Sequence, residues 1–413
     1  MVLGLAFVGF LHEFTLLLPL ACATLNFFLI GLLARLGRSA QALIPFLAWT
    51  LALGSLAASG SPEVKLARLL GGVGQWMDGF KGEVGWNTLF PLLVLKILSW
   101  GLDFHRSLHA VSKVDAPEAK IEPGPTLREE RDSSNDNNTS RCPVSTLFEG
   151  RDSSLNKRSP VSILREEEDE ERGRVEGHRS RQEYQSFGLY LAYLFYPPLY
   201  ITGPIVTFNA FASYMEAPQQ IVRGRSLMIY WARLFFNMCL FVMFGHYLYV
   251  SALVQNGPLK LQQEPGPIAF EAAFMRHEGG GEGLIWFSFW SLEFLWFKFL
   301  VIWRFSRAWA LLDGVLAPED MARCMCNNYS VRGFWRGWHR SFNRWNVRYI
   351  FVPLGGSKGV SVLRHFVNFG LVFTFTAVWH EPTVLFGSQQ ERRLLVWGWL
   401  FALFVLPEVT QPN

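Results

Sequence analysis

Charge is scarce in this chain. Only 17% of its 413 residues are Asp, Glu, Lys or Arg, against 50% hydrophobic, where a soluble globular protein carries about 25% charged residues. That excludes an ordinary soluble domain of this length. Cysteine is scarce too: Cys22, Cys142, Cys239, Cys324 and Cys326 are odd in number, and no spacing fits a disulfide framework or a zinc site. Cys324-x-Cys326 is tighter than the usual metal pair, so the two read as ordinary thiols. The net charge of +4 is spread over many loops and forms no concentrated basic domain, which argues against a nucleic-acid partner. Signatures of nucleophile-elbow hydrolases, H-E-x-x-H zincins, P-loops and dinucleotide folds are absent, as is any internal repeat.

Abundant instead are aromatic and aliphatic residues in long blocks, including 36 Phe and 16 Trp. A polytopic membrane protein is the economical reading. Phe14–Leu33 is apolar and ends at Arg35 and Arg38, which favours a cytosolic end there. No basic region precedes it, so it reads as a span and not as a secretory signal. Ala42–Ala58, Trp86–Phe104, Leu227–Val250, Leu284–Trp303, Phe366–Trp379 and Leu394–Leu406 are further candidates. Phe187–Phe211 is apolar but carries Pro197, Pro198, Gly203 and Pro204. Such a broken membrane segment needs its freed backbone groups met by protein or by a wet cavity. The expectation is an all-α bundle of about eight spans plus re-entrant helices.

Three regions follow. Residues 1–111 hold N-terminal membrane helices and 186–413 hold the core with its site. Residues 112–185 between them are rich in Glu, Arg, Ser, Asn and Pro, and include REEEDEERGR at Arg165–Arg174. With no apolar period to offset ordering entropy, this segment reads as a disordered charged loop. Asp103, His105 and His109, just after the third span, read as surface groups. Glu293 and Lys298, within a span, read as a structural ion pair.

The stretch Trp335–Lys358, WRGWHRSFNRWNVRYIFVPLGGSK, is too polar for a span and too aromatic for a free loop. Arg336, Arg340, Arg344 and Arg348 recur every fourth residue, which on a helix makes a basic stripe. Trp335, His339 and Asn343 share that spacing on a neighbouring face. Pro353 stops the helix and Gly355–Gly356 supply the turn. The following span ends on Trp379 and His380. A neutral imidazole can take a proton from a hydroxyl, a second polar group can fix that hydroxyl or an oxyanion, and guanidinium groups can hold phosphate.

Phe334–Lys358 and FTFTAVWHE at Phe373–Glu381 resemble the membrane-bound O-acyltransferase superfamily. His339 falls on that pattern's variable polar position and His380 on its invariant histidine. SFNRWNVRYIFVPLGG, with YLAYLFYPPLYITGPIVTFNAF at Tyr190–Phe211, is similar to the glycerol-uptake-protein branch, related to the Hedgehog acyltransferase. The charged insert is not part of the core pattern, and the N-terminal part is short for this branch. The resemblance implies a helical bundle with a central chamber in the endoplasmic reticulum membrane. It implies an acyltransferase that uses acyl-CoA as co-substrate, with no metal and no redox cofactor. The acceptor it implies is a lipid hydroxyl, foremost the lyso-lipid of a glycosylphosphatidylinositol (GPI) anchor. His380 would be the general base and His339 its partner. Asn343, Arg344, Arg348, Trp335 and Trp379 would hold substrates. His339, where the Hedgehog acyltransferase pattern is acidic, weighs against a protein N-terminus as acceptor. A transporter is disfavoured by the single broken helix and the missing repeat, and an inactive regulatory homologue by retention of His380.

Overall fold

A computed structural model describes residues 2–60, 66–79, 82–114, 160–247, 281–356 and 361–380, together with residues 359 and 382. The elements are α1 (Val2–His12), α2 (Leu17–Arg35), α3 (Arg38–Gln41), α4 (Ile44–Gly60), α5 (Leu66–Met77), α6 (Trp86–Val114), α7 (Pro160–Glu176), α8 (Arg181–Tyr184), α9 (Phe187–Leu194), α10 (Phe208–Glu216), α11 (Arg225–Tyr247), α12 (Gly281–Leu312), α13 (Val331–Gly337), α14 (Arg340–Asn346) and α15 (Val362–His380). Among the described residues the one β contact is an isolated bridge between Met321 and Trp338. The protein is a multi-pass membrane bundle. Among the described residues five helical stretches are long and apolar enough to cross a membrane: Val2–Arg35, Arg38–Gly60, Trp86–His109, Arg225–Tyr247 and Val362–His380. The expected span at Leu394–Leu406 lies outside the described residues.

Helix α6 is the axis. Of its apolar stretch 78% is buried, against 6% for α11, so α6 is walled in by protein while α11 leaves most of its side chains facing outward. Trp100 of α6 is fully buried and stacks on Phe27 at 5.3 Å between ring centres. Its indole N–H donates to the Tyr184 carbonyl at 3.3 Å. Each buried ring of this size removes about 150–250 Å² from solvent or lipid, which makes the aromatic excess in the sequence the material of the core. Lys96 of α6 is also buried and donates to the Leu194 carbonyl at 3.3 Å.

The Pro-rich apolar segment is broken as its sequence requires. α9 ends at Leu194, a 3₁₀ turn spans Pro197–Leu199, and α10 restarts at Phe208, capped by the Thr207 hydroxyl. The freed backbone is met by protein: Ile205 N–H donates to Ser341 Oγ at 2.9 Å, and the Val206 carbonyl accepts from Tyr193 at 2.9 Å.

Two expectations need correction. The charged segment 112–185 is not a disordered loop throughout. From Pro160 to Glu176 it is α7, and α8 follows with a capping box between Ser180 and Glu183. The reason is electrostatic: its glutamates meet arginines of α12 and α14. Residues 115–159 lie outside the described residues. Asp103 is not a surface group either. It is fully buried and accepts from Arg106 and Arg348, each at 3.1 Å, and from Tyr349 at 2.8 Å. His109 is exposed as expected.

Candidate active site

The basic stretch does not form one helix. α13 stops at Gly337, Trp338 is extended, and His339 adopts a left-handed conformation, φ 44° and ψ 55°, before α14 begins. A non-glycine residue pays for that conformation in steric strain, and such residues cluster at functional sites. The break splits the arginine row, so Trp335 and Arg336 sit on a separate helix from Arg340 and Arg344. After Asn346 the chain widens into a π-helical turn, Val347–Phe351, another feature frequent at functional sites.

The left-handed turn is held by an antiparallel pairing with the segment after α12. Ala322 N–H donates to the Gly337 carbonyl and Arg340 N–H to the Asp320 carbonyl, both at 3.1 Å. This puts the buried Asp320 carboxylate beneath His339, with Oδ2 at 3.7 Å from Nε2. Ser341 fixes that carboxylate twice, through its N–H at 2.7 Å and its hydroxyl at 3.0 Å. The His339 ring is sandwiched between Trp303 of α12, stacked at 4.4 Å, and Phe342, stacked at 5.2 Å. Burial, with the neighbouring His380, pushes the His339 pKa down to about 3. Burial also raises Asp320 to about 7. Both groups are driven toward their neutral forms.

His380 ends α15, as the sequence predicts, and is exposed beside Phe342. The Phe342 ring centre lies 6.0 Å from that of His380 and 4.4 Å from that of Trp379, on which it stacks. Trp379 stands 4.7 Å from His380 and anchors α15 to α6 by donating to the Pro91 carbonyl at 2.8 Å. The structure therefore gathers His339, His380 and Trp379 around Phe342. Asn343, half-buried, lies one turn after His339 on α14. An imidazole open to an approaching substrate beside a second, shielded imidazole can share the work of removing a proton and stabilising developing charge.

The other candidates lie elsewhere. Trp335 faces Phe373 at 6.1 Å on the neighbouring helix α13. Arg344 pairs with Glu171 at 2.6 Å and Arg340 with Glu168 at 2.6 Å, both acids on α7. Arg348 is tied to buried Asp103 and donates to the Val175 carbonyl at 3.2 Å. Glu293 does not pair with Lys298; it lies 3.3 Å from Cys324 Sγ, and Lys298 is exposed.

Trp303, Phe342 and Asp320 were not singled out from sequence. Asp320 lies 19 positions before His339 in a loop with no periodicity, and only the backbone pairing brings them together. Asp103 carried the one available signal, an acid on the last turns of an apolar helix.

The described helices define a multi-pass membrane protein in which two histidines meet one buried phenylalanine. The family model for MBOAT, the membrane-bound O-acyltransferase family, matches residues 170–411, and the chain belongs to that family. It is 33% identical over 347 residues to "Membrane-bound O-acyltransferase gup1" of Schizosaccharomyces pombe, covering 83% of this chain and 47% of that protein. It is 31% identical over 360 residues to "Membrane-bound O-acyltransferase GUP2" of Saccharomyces cerevisiae, covering 85% and 49%. To "Protein-cysteine N-palmitoyltransferase HHAT" of Mus musculus it is 27% identical over 217 residues, 52% of this chain and 38% of that protein. The chain spans about half the length of the first two relatives.

Proposed function

We propose that this protein transfers a fatty acyl group from acyl-CoA to a lipid hydroxyl in the endoplasmic reticulum membrane, the acceptor being the lyso-lipid of a GPI anchor. The observation that carries the reading is that His339 and His380 both lie against Phe342, their ring centres 5.2 Å and 6.0 Å from its own, within the family's matched region. His380 is the general base. It takes the proton of the acceptor hydroxyl as the oxygen attacks the thioester carbonyl, with no acyl-enzyme. The carbon–sulfur bond then breaks, and the proton passes from His380 to the leaving thiolate. His339 and Asn343 position the acceptor or polarise the carbonyl. Arg344 and Arg348 are assigned to the phosphates of the donor and Trp335 and Trp379 to the apolar parts of the substrates. Exchanging a thioester for an oxygen ester needs no metal or redox cofactor. A cysteine-bearing protein acceptor, as in the name of the mouse relative, is the second reading, supported by that similarity alone.

The test is to purify the protein in detergent, offer labelled acyl-CoAs with a panel of lysolipids and an N-terminal cysteine peptide, and identify the product by mass spectrometry. An acylated lysolipid supports the first reading, an acylated peptide the second. No product with either acceptor overturns both.

A further inference from the structure

His339 and His380 are chemically unlike, and Asp320 makes them so. No polar atom among the described residues lies within hydrogen-bonding distance of the His339 ring; the Asp320 carboxylate, 3.7 Å from Nε2, is its nearest charged neighbour. Contacts of this kind tighten when substrate closes a site. Asp320 cannot swing away. Ser341 holds both of its oxygens, and Ser341 Oγ in turn accepts from Ile205 N–H. The imidazole plane is fixed by Trp303 and Phe342. Nε2 is therefore committed to Asp320, and Nδ1 is the nitrogen left to meet substrate.

The proton count follows from charge balance. The groups around the pair are already neutralised: Glu319 binds Arg304 at 2.6 Å and Arg307 at 3.5 Å, Arg307 also binds Glu167 at 2.7 Å, and Arg340 binds Glu168. Glu171, which also acts on Asp320, is paired with Arg344, and His380 is a further titratable neighbour of His339. Among the described residues no Arg or Lys lies within ion-pair distance of Asp320 to balance a net negative His339–Asp320 pair between two aromatic faces, where an isolated charge is costly. The pair therefore holds one proton more than a carboxylate beside a neutral imidazole. Whether that proton rests on Asp320 Oδ2 or on Nε2, Nδ1 carries a hydrogen.

We infer that Asp320 is a positioning residue that holds His339 as a hydrogen-bond donor through Nδ1, so that His339 stabilises the oxyanion of the acyl-transfer intermediate and does not compete with His380 as base. This deepens the acyl-transfer reading and rests on it. In the step, the hydroxyl oxygen bonds to the carbonyl carbon and its proton goes to His380. The carbonyl π pair moves to oxygen, where Nδ1–H meets it. Collapse of the intermediate expels the thiolate.

Two measurements test this. The first needs no turnover: nitrogen-15 NMR of histidine-labelled protein in detergent, with the His339 signal assigned by its loss in H339Q. Nδ1 should be protonated at neutral pH, and Asp320→Ala should release that preference to a mixture of tautomers. An unprotonated Nδ1 in the wild type overturns the inference whether or not any variant folds. The second uses labelled palmitoyl-CoA with lysophosphatidylinositol. Asp320→Ala should lower kcat roughly 10–100-fold, short of the 10²–10³ for removing an oxyanion donor outright, with KM nearly unchanged. Asp320→Asn, whose amide N–H can still donate to Nε2, should restore most of it. In an H339A background, Asp320→Ala should add no further loss, as expected of residues acting as one unit. Additive losses would make Asp320 merely structural. If His380→Ala alone is inert while Asp320→Ala transfers normally, this inference fails and the acyl-transfer reading stands.

Discussion

Arg344 Nη1 lies 2.6 Å from Glu171 Oε2, and through this contact the charged insert closes over the basic row of α14. Glu168 on Arg340 repeats it one turn away. Phosphates of an acyl-CoA approaching that row would have to displace carboxylates.

Neutralising that cover should ease donor binding. In E168Q/E171Q the apparent KM for acyl-CoA should fall several-fold with kcat little changed. The stability lost should be small, about 0.2–1 kcal/mol for each partly exposed pair. An unchanged KM would mean that Arg340 and Arg344 hold α7 and nothing else. Residues 115–159 should be dispensable, whereas deleting 160–176 should impair folding. Protein yield and size-exclusion profiles of the two deletions check this.

Asp103 should matter for stability more than for substrate. Asp103→Ala leaves Arg348 and Tyr349 without their buried acceptor, and breaking a pair on its buried side costs about 3 kcal/mol. Thermal unfolding in detergent should show a large drop for Asp103→Ala and for Arg348→Ala alike. If Arg348→Ala instead raises the acyl-CoA KM at unchanged stability, its guanidinium serves the donor.

Stability near the site should depend on pH with two opposed slopes. His339 titrates near 3 in the fold against 6.5 ordinarily. The unfolded chain therefore binds the extra proton between those values, and stability falls as pH drops through them. Asp320 titrates near 7 against 3.8. There the folded state holds the extra proton, and stability falls as pH rises from 3.8 to 7. In the wild type the slopes largely cancel. His339→Ala should uncover a loss on raising pH and Asp320→Asn a loss on lowering it. Unfolding midpoints across pH 4–7 that move the same way in both variants would contradict these assignments.

Much of the architecture was legible because membrane burial writes itself as long apolar runs. Trp86–Phe104 as a span, the proline-broken segment before Phe211, and His380 at a helix end all followed from pattern. The insert was misread because its order comes from partners far away in sequence. Glu168 and Glu171 meet arginines 172 and 173 positions on, which no local period can signal. Asp320 was invisible for the same reason. The break at His339 was hidden by the regular four-residue arginine spacing, which suggested one continuous helix and gave no hint that His339 would take a left-handed conformation.

The most direct test of the whole account is single-turnover acyl transfer by His380→Ala protein whose fold is verified by its unfolding midpoint and monodispersity. His380 is exposed and contributes little packing, so the variant should express and unfold as the wild type does. Its transfer rate should fall roughly 10²–10⁴-fold, the range for a positioned acid–base group, with acyl-CoA binding retained. Transfer at a near-normal rate by this folded variant would contradict the assignment of His380 as base, and with it the proposed chemistry.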